Sequence, residues 1–387
     1  MKPARLVALL TLALTATAIA PGTSSAAPGL VGGFDSAVVG HVYVNDNTGG
    51  ENTVAAFDRH AEGTLTPIPG SPFPAGGAGT GAGIGSQGAL QESADGKYLL
   101  AVDAGSGQIS VLRIRPDGGL RPVSGGPVSS GGAEPVSVAV DGGLVYVANG
   151  GPGANNYTGF TLNRGGHLRA LAGSTIVLPE GSEPGDVLFN PAGTNLVGVR
   201  IKTSLIDSFA VGADGRLSAA PESPIAAQGP GPFGSEFRPT HPDQLFVSNA
   251  HGGAGAGTVS AFDVAANGAL SSIGSSPFPD HETAPCWIEI SHDGRFLFTT
   301  NTASGTISRY AIASDGSLEL LGSTPFKRAG SGPLDARLAP DGQTLWIVEG
   351  GAHAVGGFAV DGGALSELPS SPTPLPSNSA PFGIVVN

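Results

Sequence analysis

Cysteine and charged residues are both scarce in this sequence. The 387 residues include one cysteine, Cys286, so no internal disulfide can form. We expect this lone thiol to be a small buried apolar residue rather than a nucleophile. Only 13% of the residues are charged, and 31 acidic against 18 basic side chains give a net charge of −13. Because an acidic surface repels phosphate backbones, we expect no nucleic-acid partner.

Long hydrophobic runs are absent except at the N-terminus. Lys2 and Arg5 precede an apolar run over residues 6–20, and small residues follow it. The run is too short to span a membrane, so the pattern predicts a signal peptide over residues 1–27, cleaved between Ala20 and Ala27. An uncleaved anchor is the alternative. We therefore expect a secreted protein with no membrane attachment after processing.

Glycine and proline, by contrast, are abundant. The chain has 63 glycines and 32 prolines spread along its length, together with 40% hydrophobic residues. Helix-breaking residues in that proportion, with enough apolar residues for a core, favour an all-β fold with many tight turns.

An internal repeat defines the architecture. Segments such as DGKYLLAVDAGSGQISVLRI (95–114) and DGRFLFTTNTASGTISRYAI (293–312) recur in seven copies of roughly fifty residues. One polar position, at the predicted end of the second strand, marks each copy: Asn45, Asp103, Asn149, Arg200, Asn249, Asn301 and Glu349. The repeat predicts a seven-bladed β-propeller with four strands per blade.

The two ends of the chain complement each other. PFGIVVN (381–387) resembles a first strand with nothing after it, and GHVYVND (40–46) resembles a second strand with no first strand before it. We predict that the C-terminal strand joins the N-terminal blade and closes the ring, which leaves no open sheet edge. The domains are then the signal peptide, a short segment over 28–39 and a propeller over 40–387, which we expect to be a monomer.

The stretch GIGSQG (83–88) fits the pattern of a dinucleotide-binding loop. That pattern requires a following helix, whereas here the predicted strand ALQES (89–93) follows. We reject the nucleotide interpretation. The Gly-rich loop 75–88 either rims or covers a site at the channel mouth or is a tolerated surface insertion.

Several phrases resemble the lactonase-like seven-bladed propellers, which include 6-phosphogluconolactonase and carboxymuconate-cyclising enzymes. They are GAGTGAGIGSQGAL (77–90), APCWIEISHDGRFLFTTNTASGTISRY (284–310) and GPLDARLAPDGQTLWIVEGG (332–351), and LFTTNTASGTISRY also resembles YVTN-type repeats. The resemblance covers about residues 36–387 and implies a lactonase or cyclase. Family enzymes carry an Arg-His pair and a Glu at positions that are Phe233, Gly234 and Ala250 here. Their acid, base and anion-holding groups are therefore not carried over.

Polar residues at the strand ends supply other candidates. We predict His251 or Glu349 as the base that activates water and Arg200 as the holder of a substrate carboxylate. Substrate-binding candidates, expected at the same channel mouth, are Asp103, Asn249, Asn301, Trp287 and Asp335.

Each candidate also has a structural interpretation. The asparagines can shape turns, His251 can be merely exposed, and Arg200 can pair with Glu349 across the ring. Glu134 and Glu183, each preceding a proline, are also expected at the channel mouth but can simply cap linkers. No metal-binding motif or cofactor is predicted, although calcium in the channel stays open.

Two functions follow from these observations. The first is a secreted hydrolase or cyclase of a small lactone, acting at the top-face channel on a lactone or sugar-like ligand. The second is a non-catalytic extracellular propeller that binds a ligand or a protein. The fold alone does not decide between them.

Overall fold

The computed structural model describes residues 37–387. The predicted signal peptide and most of the segment 28–39 lie outside the described residues. The described part is built of β-strands, with no α-helix among residues 37–387, so no helix there is long and apolar enough to cross a membrane.

The first half of the described chain forms blades one to four. Their strands are β1 (Val38–Asn45), β2 (Gly50–His60), β3 (Leu65–Pro67), β4 (Phe73–Gly79), β5 (Leu90–Glu92), β6 (Tyr98–Asp103), β7 (Gln108–Ile114), β8 (Leu120–Pro122), β9 (Val128–Ser129), β10 (Pro135–Asp141), β11 (Leu144–Asn149), β12 (Asn156–Leu162), β13 (Leu168–Ala170), β14 (Ile176–Val177), β15 (Pro184–Phe189), β16 (Asn195–Arg200), β17 (Leu205–Val211), β18 (Leu217–Ala219) and β19 (Ile225–Ala226).

The second half forms blades five to seven and the closing strand. Their strands are β20 (Pro232–Arg238), β21 (His241–Asn249), β22 (Thr258–Val264), β23 (Leu270–Ser272), β24 (Phe278–Pro279), β25 (Pro285–Ile290), β26 (Phe296–Asn301), β27 (Thr306–Ile312), β28 (Leu318–Pro325), β29 (Pro333–Leu338), β30 (Thr344–Glu349), β31 (Ala354–Asp361), β32 (Ala364–Glu367), β33 (Thr373–Pro374) and β34 (Phe382–Val386).

The seven sheets confirm the predicted propeller. Each is an antiparallel meander of four strands, for example β15-β16-β17-β18. The innermost strands of successive blades contact one another around a central channel. All seven polar marker residues end the second strand of their blade, as predicted. In six blades the linker adds a short fifth strand against the third strand, as β14 does against β12, which the sequence did not reveal.

The C-terminal strand closes the ring, as predicted. β34 pairs antiparallel with β1, with Val42 opposite Val386 and Val44 opposite Ile384. His41 and Asn387 exchange two further backbone hydrogen bonds of 3.0 Å. The first blade is therefore built from both ends of the described chain, and both long edges of its central strand are paired.

The first strands of blades three to seven share a start signal. Each begins with a proline, which has no N–H and is tolerated at the first position of a strand. The residue before each proline has a left-handed backbone. These residues are Glu134, Glu183, Gly231, Ala284 and Gly332, with φ between 48° and 65°. We call the face that carries these residues and the ends of the second strands the top face.

Candidate functional site

The polar residues at the ends of the second strands form hydrogen bonds mainly within their own blades. Asn249 donates a hydrogen bond of 2.8 Å from Nδ2 to Ser260, and Asn301 makes the same contact with Ser308. Asp103 accepts hydrogen bonds from Ser110 at 2.5 Å and from Asn52 at 2.9 Å. All three are buried. Hydrogen bonding to neighbouring strands therefore explains why a polar residue ends these second strands. Substrate binding by these residues stays a prediction.

Arg200 also bonds to the third strand of its own blade, but through charged groups. Its guanidinium binds Asp207 on the third strand through two hydrogen bonds, of 2.7 Å from Nε and 2.5 Å from Nη2. Tyr157 of the neighbouring blade donates to the same carboxylate at 3.0 Å. The alternative that Arg200 pairs with Glu349 is wrong, because Asp207 lies closer and in the same blade.

Glu349 has no hydrogen-bond partner on the third strand of its blade. Its expected partner position, opposite Ile347 on the third strand, is Gly356, whereas blades five and six carry Ser260 and Ser308 there. Both carboxylate oxygens are buried without a hydrogen-bond partner. Burial, reinforced by the nearby charge of Glu367, raises the pKa of Glu349 to about 7.

The three predicted catalytic residues are not brought together. Arg200 belongs to blade four, His251 to the exposed loop after β21, and Glu349 to the interior of blade seven. None of them lines the top-face cavity described below. Arg200 and Glu349 turn toward the third strands of their own blades rather than toward the axis, and a catalytic role for His251 stays a prediction.

Residues 83–88, here called the plug loop, enter the top of the channel. Gln87 donates 2.7 Å from Nε2 to the Ser235 carbonyl in blade five, and its Oε1 accepts from the Ile288 N–H in blade six at 3.1 Å. The Gln87 N–H donates to the Gly185 carbonyl of blade four at 3.0 Å. Ser86 donates to the Val136 carbonyl of blade three. A loop bonded to four blades is not a surface insertion, and that alternative is wrong.

Trp287 and Asp335 hold the plug loop in place. Trp287 is buried, donates 2.5 Å from Nε1 to the Ser86 carbonyl, and packs edge-on against Phe233 at 5.1 Å between ring centroids. Asp335 accepts the Gly88 N–H at 3.0 Å, while its other carboxylate oxygen has no hydrogen-bond partner. Burial raises the pKa of Asp335 to about 6. Both side chains therefore support the loop from below.

The plug loop also fills the space at Gly234, the position matched above to a histidine of the lactonase-like propellers. A Cβ added at Gly234 would lie 2.1 Å from Oε1 of Gln87 and 2.6 Å from the carbonyl oxygen of Cys286. Phe233 and Ala250 are buried apolar residues. Cys286 is buried beside them, and burial raises the pKa of its thiol to about 12. The sequence interpretation of this thiol as a core residue is confirmed.

A cavity of about 400 Å³ opens on the top face beside the plug loop, between blades three and four. Gly85 of the loop, Val136 and Ile201 form apolar parts of its lining. Its ionisable lining residues are Glu134, Glu180, Glu183 and Lys202. This volume suits a small cyclic molecule.

Glu134 and Glu183 occupy equivalent positions in the two blades that border the cavity. Their φ angles are 49° and 48°, a conformation that costs an L-residue about 1 kcal/mol. Blades five and seven place Gly231 and Gly332 at this position, where glycine carries no such penalty. Blade six has Ala284 in the same conformation, at 56°, so the strain belongs to this position, and the carboxylates are what distinguish the two blades that border the cavity.

Charge coupling links the cavity carboxylates. Lys202 Nζ lies 2.6 Å from Oε1 of Glu183, and both side chains are about half exposed or more. Burial raises the pKa of Glu134, and the negative charge of Glu183 raises it further. A raised pKa brings a carboxylate closer to the range useful for general acid–base catalysis at neutral pH.

The sequence placed Glu134 and Glu183 at the channel mouth, with linker capping as the alternative interpretation, and gave no role to Lys202. Alignment of the seven copies could have singled out the two glutamates, because they stand where other blades have Gly or Ala before the proline. Lys202 carries no comparable pattern. Within residues 37–387, no group of three or more His, Cys, Asp or Glu side chains is arranged to hold a metal ion.

Comparisons with known proteins agree with the fold. The sequence profile of the family "Lactonase, 7-bladed beta-propeller" matches residues 238–381. No curated protein sequence matches the chain.

Solved structures resemble nearly the whole chain at low identity. A candidate 6-phosphogluconolactonase from Bacteroides uniformis is 19% identical with a TM-score of 0.73, covering 90% of this chain and 99% of its own. The periplasmic gluconolactonase of Pseudomonas aeruginosa is 18% identical with a TM-score of 0.71, covering 90% and 98%. At such identities the likeness establishes the fold.

Proposed function

We propose that this seven-bladed β-propeller, which is similar to the lactonases over residues 238–381, is a secreted lactone hydrolase whose site is the top-face cavity between blades three and four. The observation that carries the proposal is the pair Glu134 and Glu183. Both are held in strained left-handed backbone at the cavity, beside Lys202. Two carboxylates at equivalent positions of one pocket, on a left-handed backbone that glycine would adopt without strain, support a functional role.

Glu134 is the proposed general base. Its raised pKa suits it to remove a proton from a water molecule that attacks the lactone carbonyl. Lys202 supplies positive charge for the oxyanion that forms on the carbonyl oxygen. When the tetrahedral intermediate collapses, the ring C–O bond breaks and protonated Glu134 returns its proton to the leaving alkoxide. The products balance as one lactone and one water giving one hydroxy acid, with no covalent intermediate.

Glu183 positions Lys202 and tunes Glu134. Its ion pair of 2.6 Å holds the ammonium group at the cavity, and its charge raises the pKa of Glu134. The backbone N–H of Glu183 is fixed in turn by Oδ1 of Asn155 at 2.8 Å. The substrate class follows from the relatives named above, one of which is a gluconolactonase, and from the size of the cavity.

A non-catalytic ligand-binding propeller is the second candidate function. Its support is the replacement of the family Arg, His and Glu by Phe233, Gly234 and Ala250, with the plug loop filling the space at Gly234. A propeller altered in this way can keep a top-face pocket for binding without turnover.

The deciding experiment is lactone hydrolysis by purified protein beginning at residue 28, followed in a pH-stat with the spontaneous rate subtracted. The matched variants are Glu134→Gln and Glu319→Gln. Glu319 is an exposed carboxylate on the outer strand of blade six. We expect turnover that E134Q reduces about 100-fold or more, while E319Q leaves it unchanged. No turnover on sugar, aryl or muconate-type lactones by folded protein supports the binding function instead.

A further inference from the structure

The charges around the cavity determine which lactones it accepts. Of the four ionisable lining residues, Lys202 and Glu183 neutralise each other in their ion pair. Glu134 and Glu180 have no salt bridge to a lining residue, and the lining includes no arginine or histidine; the charge of Glu180 acts on Lys202 without a direct ion pair. The Glu180 carboxylate accepts only the Gly153 N–H, at 3.1 Å to each oxygen. The cavity is therefore net negative.

We propose that this site selects lactones that carry no anionic group and prefers an amine-bearing ring to a neutral one. The inference rests on the proposed function, because it concerns the same cavity. A phosphate or carboxylate substituent would face Glu134 and Glu180, and such like-charge juxtaposition is strongly unfavourable. The protein's net charge of −13 adds a repulsive field for anions approaching from solution.

Lys202 does not remove this bias. Its ammonium group has three N–H donors and can contact an anion while it stays 2.6 Å from Glu183, but the Glu183 charge already balances its own. A phosphate bound there would therefore place its negative charge beside Glu134, Glu180 and Glu183 with a single shared cation. An ammonium group on the ligand would instead meet Glu134 and Glu180, neither of which has a salt bridge.

Two matched pairs of probes test the preference. Glucono-δ-lactone is compared with its 6-phosphate, and γ-butyrolactone with its α-amino derivative, by kcat/KM at neutral pH. We expect the phosphate to lower kcat/KM at least about tenfold and the amine to raise it several-fold, both effects shrinking in high salt. Faster hydrolysis of the phosphorylated ring would overturn the inference while leaving the hydrolase function intact.

Charge variants and a non-hydrolysable ligand separate the two proposals. Glu180→Gln removes one exposed negative charge at the rim without touching the proposed base, and should narrow the neutral-to-phosphate ratio several-fold. E319Q removes an equal charge far away and should not change that ratio.

Calorimetry with gluconolactam and its 6-phosphate measures the same preference without turnover. If no lactone is hydrolysed but the neutral lactam binds at least about tenfold more tightly, the hydrolase proposal fails and the charge selection stands. Equal or tighter binding of the phosphate overturns the selection.

Discussion

At the scale of single residues, a substitution at Glu134 can separate the effect of its backbone strain from the effect of its carboxylate. Glycine at the position of Glu134 would relieve the left-handed strain, so Glu134→Gly should leave the free energy of unfolding unchanged or raise it by up to about 1 kcal/mol. The same change should abolish lactone turnover. Urea denaturation and the pH-stat assay measure the two effects. A loss of both stability and activity would contradict a functional role for the strained carboxylate, and E134Q, which keeps the strain, is the control.

The pH dependence of turnover tests the coupling of the two glutamates. A general base works when deprotonated, so kcat/KM should rise with pH around the pKa of Glu134, above the usual glutamate value of about 4.3. Removing the Glu183 charge lowers the pKa of Glu134, so Glu183→Gln should move the rising limb to lower pH. An unmoved limb in E183Q would mean that another group is the base.

The buried carboxyl of Glu349 should make the stability of the fold depend on pH. Its folded-state pKa of about 7 exceeds the unfolded value, so its contribution is lost as pH rises from about 4.5 through 7. Glu349→Gln should therefore weaken the decline in unfolding free energy over that range. The stability of the variant minus that of the wild type should therefore be about 3 kcal/mol higher at pH 8 than at pH 4.5. Parallel stability curves for wild type and variant would show that the carboxyl is solvated or paired in solution.

At the scale of elements, the plug loop joins blades that the sheets leave separate. Gln87→Ala would leave the Ser235 carbonyl and the Ile288 N–H without their partner inside the channel. We expect a loss of about 2–3 kcal/mol of unfolding free energy, measured by urea denaturation. Gln343→Ala, in an exposed turn, is the control and should change little. Equal stability of the two variants would imply that water replaces the Gln87 amide.

The sequence predicted where the strands end better than it predicted which side chains meet in space. The repeat located the end of every second strand, because that position is fixed by a local turn and a regular spacing. It did not reveal that Arg200 pairs with Asp207, or that Gln87 fills the space beside Gly234, since both depend on which side chains lie opposite in space. Polarity at a strand end does not show whether a side chain faces the axis or its own blade, so the sequence did not reveal that Arg200 and Glu349 face their own blades.

At the scale of the whole molecule, stability depends on one strand contributed by the C-terminus. With no disulfide available, β34 is held in blade one by backbone pairing to β1 and by burial of residues such as Ile384. Ile384→Asp would bury a carboxylate in the core, so we expect loss of several kcal/mol and exposure of the edge of β1. Size-exclusion chromatography and near-UV circular dichroism should then report aggregation and loss of fixed packing. Val177→Asp makes the same chemical change at a residue that is 79% exposed on β14 and should leave both signals unchanged. A folded, monomeric I384D protein would show that the ring does not need its closing strand.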